Sequence, residues 1–204
     1  MARLIFITHP EVAVRPDLDV RRWRLSEAGT ARMRVFADSA VVRDVSAIWA
    51  STEAKAIEAA GLLAAGLGLG VRVDPALGEN DRSATGFLPP EEFEAMADAF
   101  FARPEDSVRG WERAVDAQAR ICGAVDRLVQ GHGGDGDLAI VAHGAVGTLL
   151  ACAWGNRAIG RDADQPFQGH YWTADLPAPD APPNRPTPWQ PIAPRLAPGA
   201  ARST

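Results

Sequence analysis

Residues 4–12 read LIFITHPEV, an apolar run that reaches His9 and is broken at once by Pro10. Continuous runs of Ile, Leu, Val and Phe are typical of parallel strands that are buried on both faces. Residues 4–7 are therefore predicted to form a central strand. Pro10 cannot donate a hydrogen bond to a neighbouring strand, so the chain is expected to leave the sheet there and to present His9 at its edge.

Two later segments repeat this arrangement. SAIWAS ends at Ser51 before a helical pattern, and LAIVAHG passes through His143 before another. The alternation of strand and helix patterns predicts an α/β fold, and in such sheets ligands bind beyond the carboxyl ends of the strands. His9, Ser51 and His143 are therefore predicted to share one pocket, although the sequence scatters them.

Composition limits the classes of function. The chain has 204 residues, 47% of them hydrophobic, which is enough for one sizeable core. Its net charge of −5 disfavours nucleic acid or an anionic membrane as a partner, because both reward clustered Lys and Arg. Cys122 and Cys152 lie in apolar helical patterns, which indicates reduced core thiols. Neither a membrane-spanning run nor a signal-peptide pattern is visible, so the cytoplasm is the expected compartment.

The predicted organisation is one domain over residues 1–176 and a proline-rich strap or tail over residues 177–204. Nine of the 16 prolines fall in this last segment, which is expected neither to pair in a sheet nor to continue a helix. Within the domain, residues 80–107 interrupt the alternation with a short Phe-rich helix, interpreted as a lid-like insertion. Ser107 is then expected to open a long amphipathic helix. A structural role for the tail, as a partner-binding segment, rests on composition alone.

Histidines at two strand ends narrow the chemistry of the pocket. A metal site usually adds carboxylates or cysteines at short spacing, as in HExxH, and neither histidine has them. An α/β-hydrolase serine needs a GxSxG elbow, which the chain lacks. What remains is a histidine nucleophile attacking phosphorus, helped by the second histidine, by cations and by an acid that protonates the leaving oxygen. His132 and His170 are predicted to lie in a surface turn and an edge strand.

Five motifs together resemble the histidine phosphatase (phosphoglycerate mutase-like) superfamily. They are ITHPE, RLSEAG, STEAKAIEAA, LGE and VAHGAV, in the family's order and at similar separations over residues 3–175. The resemblance implies a three-layer αβα sandwich with a mostly parallel central sheet. It also implies that His9 is the nucleophile that becomes phosphorylated, that His143 binds the phosphoryl group beside it, and that Glu79 donates the proton to the leaving group.

The sequence departs from the family pattern where phosphate would bind. The family's arginine before the first histidine is Thr8 here, and its glycine after that histidine is Pro10. A hydroxyl replaces neither the charge nor the bidentate geometry of a guanidinium. The second family arginine is matched by Lys55, which keeps the positive charge but lacks the two-pronged donor geometry of a guanidinium. Arg15 and Arg82 are candidate replacement cations.

These observations predict a phosphomonoester hydrolase that works through a phosphohistidine on a small phosphorylated substrate, without metal or organic cofactor. The predicted substrate-binding residues are Thr8, Arg15, Ser51, Lys55, Arg82 and Gly144. The alternative is a degenerate member that binds a phosphorylated ligand or a protein partner, because losing one preorganised charge costs about two to three orders of magnitude in rate. A phosphomutase is disfavoured because the insertion is modest. The leaving group and the oligomeric state, including a homodimer, stay open.

Overall fold

The structure is a computed structural model that describes residues 2–133, 135–177, 183 and 185–195. Its strands are β1 (Arg3–Thr8), β2 (Val45–Ala50), β3 (Val71–Val73), β4 (Asp137–Ala142), β5 (His170–Asp175) and β6 (Gln190–Pro191). They form one sheet in the order β3-β2-β4-β1-β5-β6. The first four in that order run parallel, while β5 and β6 are each antiparallel to the preceding neighbour. The predicted α/β fold with a mostly parallel sheet is confirmed.

Helices cover both faces of the sheet. They are α1 (Glu27–Ala37), α2 (Ala54–Leu67), α3 (Pro90–Ala102), α4 (Ala114–Gly131) and α5 (Gly144–Trp154). The fully buried side chains of β1 alternate between two cores: Ile5 and Ile7 pack with α1 and α2, whereas Leu4 and Phe6 pack with α4 and α5. Burial on both faces explains why this strand is a continuous apolar run. The three-layer arrangement follows from it.

The register of the central strands brings their carboxyl ends level. Thr8 of β1 pairs with Ala142 of β4, and Ala50 of β2 pairs with Val141. The ladders extend one residue further on both sides of β4, because the His9 and Ser51 amides donate to the carbonyls of Ala142 and Val141, each at 3.1 Å. The residues that follow β1, β2 and β4 therefore leave the sheet at one edge.

The long helix begins later than the sequence pattern indicates. The expectation that it opens at Ser107 is wrong, because α4 starts at Ala114. Residues 108–110 form a single 3-10 turn in which Arg109 and Gly110 have φ angles of 49° and 85°. Left-handed backbone at two successive positions cannot continue a right-handed helix, although the apolar spacing runs through this turn.

The proline-rich segment contributes one strand to the sheet. The expectation that it cannot pair is wrong for β6, where Gln190 and Pro191 pair with Tyr171 and His170 of β5. Proline is tolerated in an edge strand, where its missing N–H costs no ladder hydrogen bond. As a result β5, expected at the edge, is an inner strand. Residues 178–182, 184 and 196–204 of the predicted tail lie outside the described residues.

Both cysteines are free thiols, as expected from their helical patterns. Cys152 is buried in α5 and Cys122 is half-buried in α4, where burial raises the pKa of its thiol to about 11. Among the described residues, every helix is too short or too polar to span a bilayer.

A glycine in the first turn of α1 allows the loop after β1 to pack on the helix. The Cβ of an alanine at Gly29 would lie 2.2 Å from the carbonyl oxygen of Glu11. Gly29→Ala is therefore expected to destabilise the fold by about 1–3 kcal/mol, because the loop backbone must move. Gly61→Ala in α2 is the matched control: its Cβ meets nothing within 4 Å, so helix propensity should stabilise it by up to about 1 kcal/mol. Urea unfolding measures both changes, and equal midpoints would contradict the prediction.

Candidate active site

The two strand-end histidines meet at the carboxyl edge of the sheet. The ring centroids of His9 and His143 are 5.2 Å apart, and the ring planes are inclined by 68°. His143 is fully buried and His9 is 8% exposed. The structure thus brings together the two imidazoles that the sequence separates by 134 residues.

Hydrogen bonding shows which ring nitrogen of His9 carries the proton. Nδ1 lies 2.9 Å from the carbonyl oxygen of Pro10, which can only accept, so Nδ1 carries the proton. Nε2 then holds the free lone pair. Burial, followed by the charge of Lys55, lowers the pKa of His9 to about 4. At neutral pH the ring is therefore an uncharged nucleophile or base with Nε2 available.

His143 is held by the residue that follows β2. Its Nε2 is 2.7 Å from Ser51 Oγ and 3.2 Å from Glu53 Oε1. Its buried Nδ1 has no hydrogen-bond partner among the described residues. Burial holds the pKa of His143 well below its usual range, although Glu53 acts in the opposite direction. Ser51 therefore contacts the second histidine.

Glu53 is a buried carboxylate at this site that the sequence analysis missed. Its Oε1 accepts a hydrogen bond from the backbone N–H of Glu79 at 3.0 Å, and its Oε2 accepts one from Lys55 Nζ. Burial alone would raise the pKa of Glu53, but His143 and Lys55 outweigh it and lower the pKa to about 2. An acid at the N-cap of a helix is an ordinary sequence feature, which is why Glu53 gave no signal.

The cation that matches the second family arginine is already engaged. Lys55 is buried, and its Nζ donates to Glu53 and, at 2.8 Å, to the Val20 carbonyl. Its charge still reaches His9, whose pKa it helps to lower. Lys55 thus contributes charge near the histidines while its hydrogen bonds are directed to protein groups.

Glu79 lies at the N-terminus of α5, beside the histidines. Its Oε1 accepts from the backbone N–H groups of Asn80 and Val146, each at 3.2 Å. Burial raises the pKa of Glu79, while the charge of Arg82 opposes the shift. A raised pKa is what a carboxyl needs in order to donate a proton near neutrality.

Three further arginines differ in the groups that they contact. Arg82 lies over the rings of Phe93 and Trp111, with 5.0 and 5.6 Å from its guanidinium carbon to the ring centroids. It has no carboxylate partner among the described residues. Arg120, which the sequence analysis missed, donates to the carbonyls of Ala76, Gly78 and Glu79 and also pairs with Glu112. It fixes the loop that carries the acid. Arg15 pairs with Asp17 in an exposed ion pair.

Thr8, at the position of the first family arginine, borders a neutral amide. Its Oγ1 donates to Gln165 Oε1 at 2.6 Å and accepts from the His170 N–H at 3.0 Å. The Gln165 side chain also packs on Gly144, where an added Cβ would lie 2.4 Å from Nε2. Gln165 was missed as well, because it lies in a loop 157 residues after Thr8.

A cleft of about 600 Å³ opens next to these groups. It is lined by the loops over residues 16–21 and 78–83 together with Phe87, and Glu53 and Glu79 form part of its wall. His9 and His143 do not line the cleft themselves. The insertion supplies Arg82 and Phe87 to the cleft.

Comparison with known proteins identifies the fold. The solved structure called mycobacterial hydrolase 1 is 22% identical, with a TM-score of 0.77, and the match covers 93% of this chain and 96% of that one. Bacillus stearothermophilus YhfR is 22% identical over 86% of this chain and 91% of that one, with a TM-score of 0.73. A mycobacterial glucosyl-3-phosphoglycerate phosphatase, solved with inorganic phosphate, is 24% identical over 86% and 90%, with a TM-score of 0.70.

These TM-scores show a shared fold. Comparison with curated protein sequences gives no match. The family model described as histidine phosphatase superfamily (branch 1) matches residues 11–169, beginning two residues after His9. Because that match spans well over half of the sequence, and the solved relatives share the fold, this protein belongs to the histidine phosphatase superfamily.

Proposed function

We propose that this protein is a phosphomonoester hydrolase in which His9 attacks phosphorus and is transiently phosphorylated. The observation that carries the proposal is the Nδ1 hydrogen bond of His9 to Pro10, which leaves the Nε2 lone pair of a neutral, buried imidazole unused. Membership of a phosphatase superfamily supports it, as does a structural relative named as a phosphatase. The substrate we propose is a small phosphorylated molecule.

The reaction is written in two displacements. In the first, His9 Nε2 forms a bond to phosphorus, the bond from phosphorus to the leaving oxygen breaks, and Glu79 gives its proton to that oxygen. In the second, water attacks phosphorus, the phosphorus–nitrogen bond breaks, and the Glu79 carboxylate takes the proton from water. Both steps need charge stabilisation at the equatorial phosphoryl oxygens. We assign this to His143 and to Arg82, whose guanidinium has no carboxylate partner among the described residues.

The pH dependence of such a reaction follows from the two pKa shifts. His9 must be neutral to attack, and its pKa of about 4 leaves it neutral at every pH well above that value. Glu79 must be protonated to assist departure, and its raised pKa extends the range in which it is. Turnover should therefore fall as pH rises through the pKa of Glu79.

Glu79→Gln is expected to slow hydrolysis of an alkyl phosphate by about 10²–10⁴-fold, because an amide cannot donate the proton. Phosphorylation of His9 by a nitrophenyl phosphate, whose leaving group departs without protonation, should be slowed much less. The rate of phosphorylation in the variant should also lose its decline with increasing pH. Pre-steady-state rates of phosphorylation across about pH 5 to 8 measure all three effects, because steady-state rates also contain the second step, in which Glu79 acts as the base.

The matched control for this experiment is Glu91→Gln, in the first turn of α3, which changes an exposed carboxylate in the same way. It should leave both rates and the pH profile unchanged. Equal slowing of the two substrates by Glu79→Gln, with an unchanged profile, would show that Glu79 is not the acid.

A second candidate function is binding of a phosphorylated ligand without turnover. The observation that favours it is the Glu53 carboxylate, which adds negative charge beside His143 and occupies Lys55. The same assay separates the two candidates. A native protein that does not hydrolyse nitrophenyl phosphate, but is stabilised against heat by inorganic phosphate, would establish the binding function. If the protein shows neither turnover nor stabilisation by phosphate, both candidate functions are rejected.

A further inference from the structure

We propose that Gln165 is a catalytic residue that donates a hydrogen bond from its side-chain amide to the phosphoryl group, and that Thr8 is the residue that positions it. The inference rests on the proposed function, since it concerns the same phosphoryl site. It explains how the site operates with threonine at the position of the family's first arginine.

The first step concerns the orientation of the amide. Thr8 ends β1 immediately before His9 and is 1% exposed, so its hydroxyl must find partners within the protein. It accepts from the His170 N–H at 3.0 Å, and of its two possible acceptors Gln165 Oε1 is the nearer, at 2.6 Å against 3.2 Å for the His170 carbonyl oxygen. With the amide oxygen held by Thr8, the NH₂ group of Gln165 points away from β1.

The second step concerns the position of the NH₂ group. Nε2 lies directly over Gly144, where a Cβ would come within 2.4 Å of it. Gly144 follows His143 and opens α5. The amide therefore bridges the residue before His9 and the residue after His143. The two histidines are the sequence neighbours of these residues.

The third step concerns unused hydrogen-bonding capacity. Among the described residues, Gln165 accepts from Thr8 at Oε1 and donates from its backbone N–H to Asp164 Oδ1, and neither bond uses Nε2. Gln165 is half-buried. Its two amide hydrogens are thus free for a ligand at the end of the sheet where His9 presents Nε2.

The fourth step concerns rigidity, since a donor stabilises a transition state only if it is already in place. Asp164 Oδ1 accepts from both the Gln165 N–H and the hydroxyl of Thr148, each at 2.8 Å. Thr148 is fully buried in α5. The backbone at Gln165 is thereby attached to the helix that begins after His143, and the side chain is attached to the strand that ends before His9.

The replacement changes the chemistry of the site in a defined way. A guanidinium supplies a charge and a two-pronged donor, whereas an amide supplies donors without charge. The geometry therefore points to a phosphoryl site that relies on oriented neutral donors where the family uses an arginine, with Arg82 as the nearby cation.

The test compares Gln165→Leu with Gln168→Leu, the same change three residues along the same loop at an exposed side chain with no contact to the site. The readouts are kcat for nitrophenyl phosphate and inhibition by orthovanadate, which mimics the pentacoordinate phosphoryl group. Gln165→Leu should lower kcat by about 10²–10³-fold, the usual effect of losing one oxyanion donor, and should weaken vanadate inhibition. Gln168→Leu should change neither.

Three further variants distinguish a residue that contacts the phosphoryl group from one that positions it. Gln165→Glu keeps an oxygen for the Thr8 hydroxyl but removes both donors, so it should fold as well as the native protein and still lose activity. Thr8→Val removes the hydroxyl at constant shape and should lower kcat, while Thr8→Ser should restore part of the loss. Because Thr8 acts through Gln165, Thr8→Val should cost little more once Gln165 is leucine.

The outcomes distinguish failure of this inference from failure of the proposed function. If the native protein turns over substrate and both Gln165 variants do so equally well with equal vanadate inhibition, the amide does not contact the phosphoryl group and only this inference fails. If the native protein binds vanadate without turnover, unchanged vanadate affinity in Gln165→Leu overturns the contact. If it neither hydrolyses the ester nor binds vanadate, the proposed function itself fails.

Discussion

His9→Ala is expected to lower the turnover of nitrophenyl phosphate by about four orders of magnitude or more. The substitution removes the Nε2 lone pair that the Pro10 hydrogen bond leaves free, and with it the proposed covalent intermediate. The remaining groups would have to promote direct attack by water on the ester, without the phosphohistidine that divides the reaction into two easier steps. Steady-state rates near pH 6, well above the pKa of His9, measure the loss without interference from its protonation.

The control for this substitution is His132→Ala. His132 follows α4, and its Nε2 lies 3.0 Å from the Gly136 carbonyl oxygen. It should leave turnover unchanged. A second readout is the mass of the intact protein quenched during turnover: the native chain should gain one phosphoryl group, and His9→Ala should not. Turnover that survives in His9→Ala would contradict the proposed mechanism and would make His143 the next residue to test.

The parts of the site that could be predicted from sequence lie at strand ends. A buried parallel strand is recognisable in the sequence as a continuous apolar run. The residue after it must lie at the edge of the sheet where the strands have their carboxyl ends. For that reason the runs before His9 and His143 were sufficient to place both imidazoles in one region. The adjacent pairing of β1 with β4 then follows from the fold class, not from any local signal.

The parts that could not be predicted depend on contacts between distant segments. Gln165 lies in an irregular loop whose sequence has no periodicity, and only the packing of β5 beside β1 brings it to Thr8. Glu53 looks like an ordinary N-terminal acid of a helix until the structure shows its contact with His143. Arg120 lies in α4 among other polar residues, and its role is visible only when the carbonyls of the loop at 76–79 are found around it.

Arg32 is another residue whose role could not be predicted, because it depends on contacts between distant segments. Its substitution has the largest expected effect on stability. In the sequence TARMRVF it resembles its neighbour Arg34, yet Arg32 is 1% exposed in α1. Its guanidinium donates to the Glu11 carboxylate at 2.8 Å and to the backbone carbonyls of Gln168, Gly169 and Ala193. One side chain thus links the loop after β1, the start of β5 and the segment after β6.

Arg32→Leu is expected to destabilise the protein by about 3 kcal/mol. Removing one partner of a buried ion pair typically costs about 3–5 kcal/mol, because the other charge and the buried acceptors are left without donors. The lower end applies here, since Glu11 keeps 22% of its side chain exposed and has Arg195 at 3.7 Å as a weaker partner. Urea unfolding measures the change, and Arg34→Leu on the exposed side of α1 should shift the free energy of unfolding by no more than about 0.5 kcal/mol.

The comparison between these two arginines decides what the buried one contributes. If Arg32→Leu is as stable as Arg34→Leu, the free energy lost by removing the guanidinium from water must equal the free energy gained from its hydrogen bonds. Leucine then stabilises the fold as well as arginine does. If it is strongly destabilised, the three segments that Arg32 links are held by that side chain. Because the Gln165 loop runs directly into the segment with Gln168 and Gly169, the variant should then also lower turnover at temperatures where the protein remains folded. Unchanged turnover there would show that the loop is positioned by Thr8 and Asp164 alone.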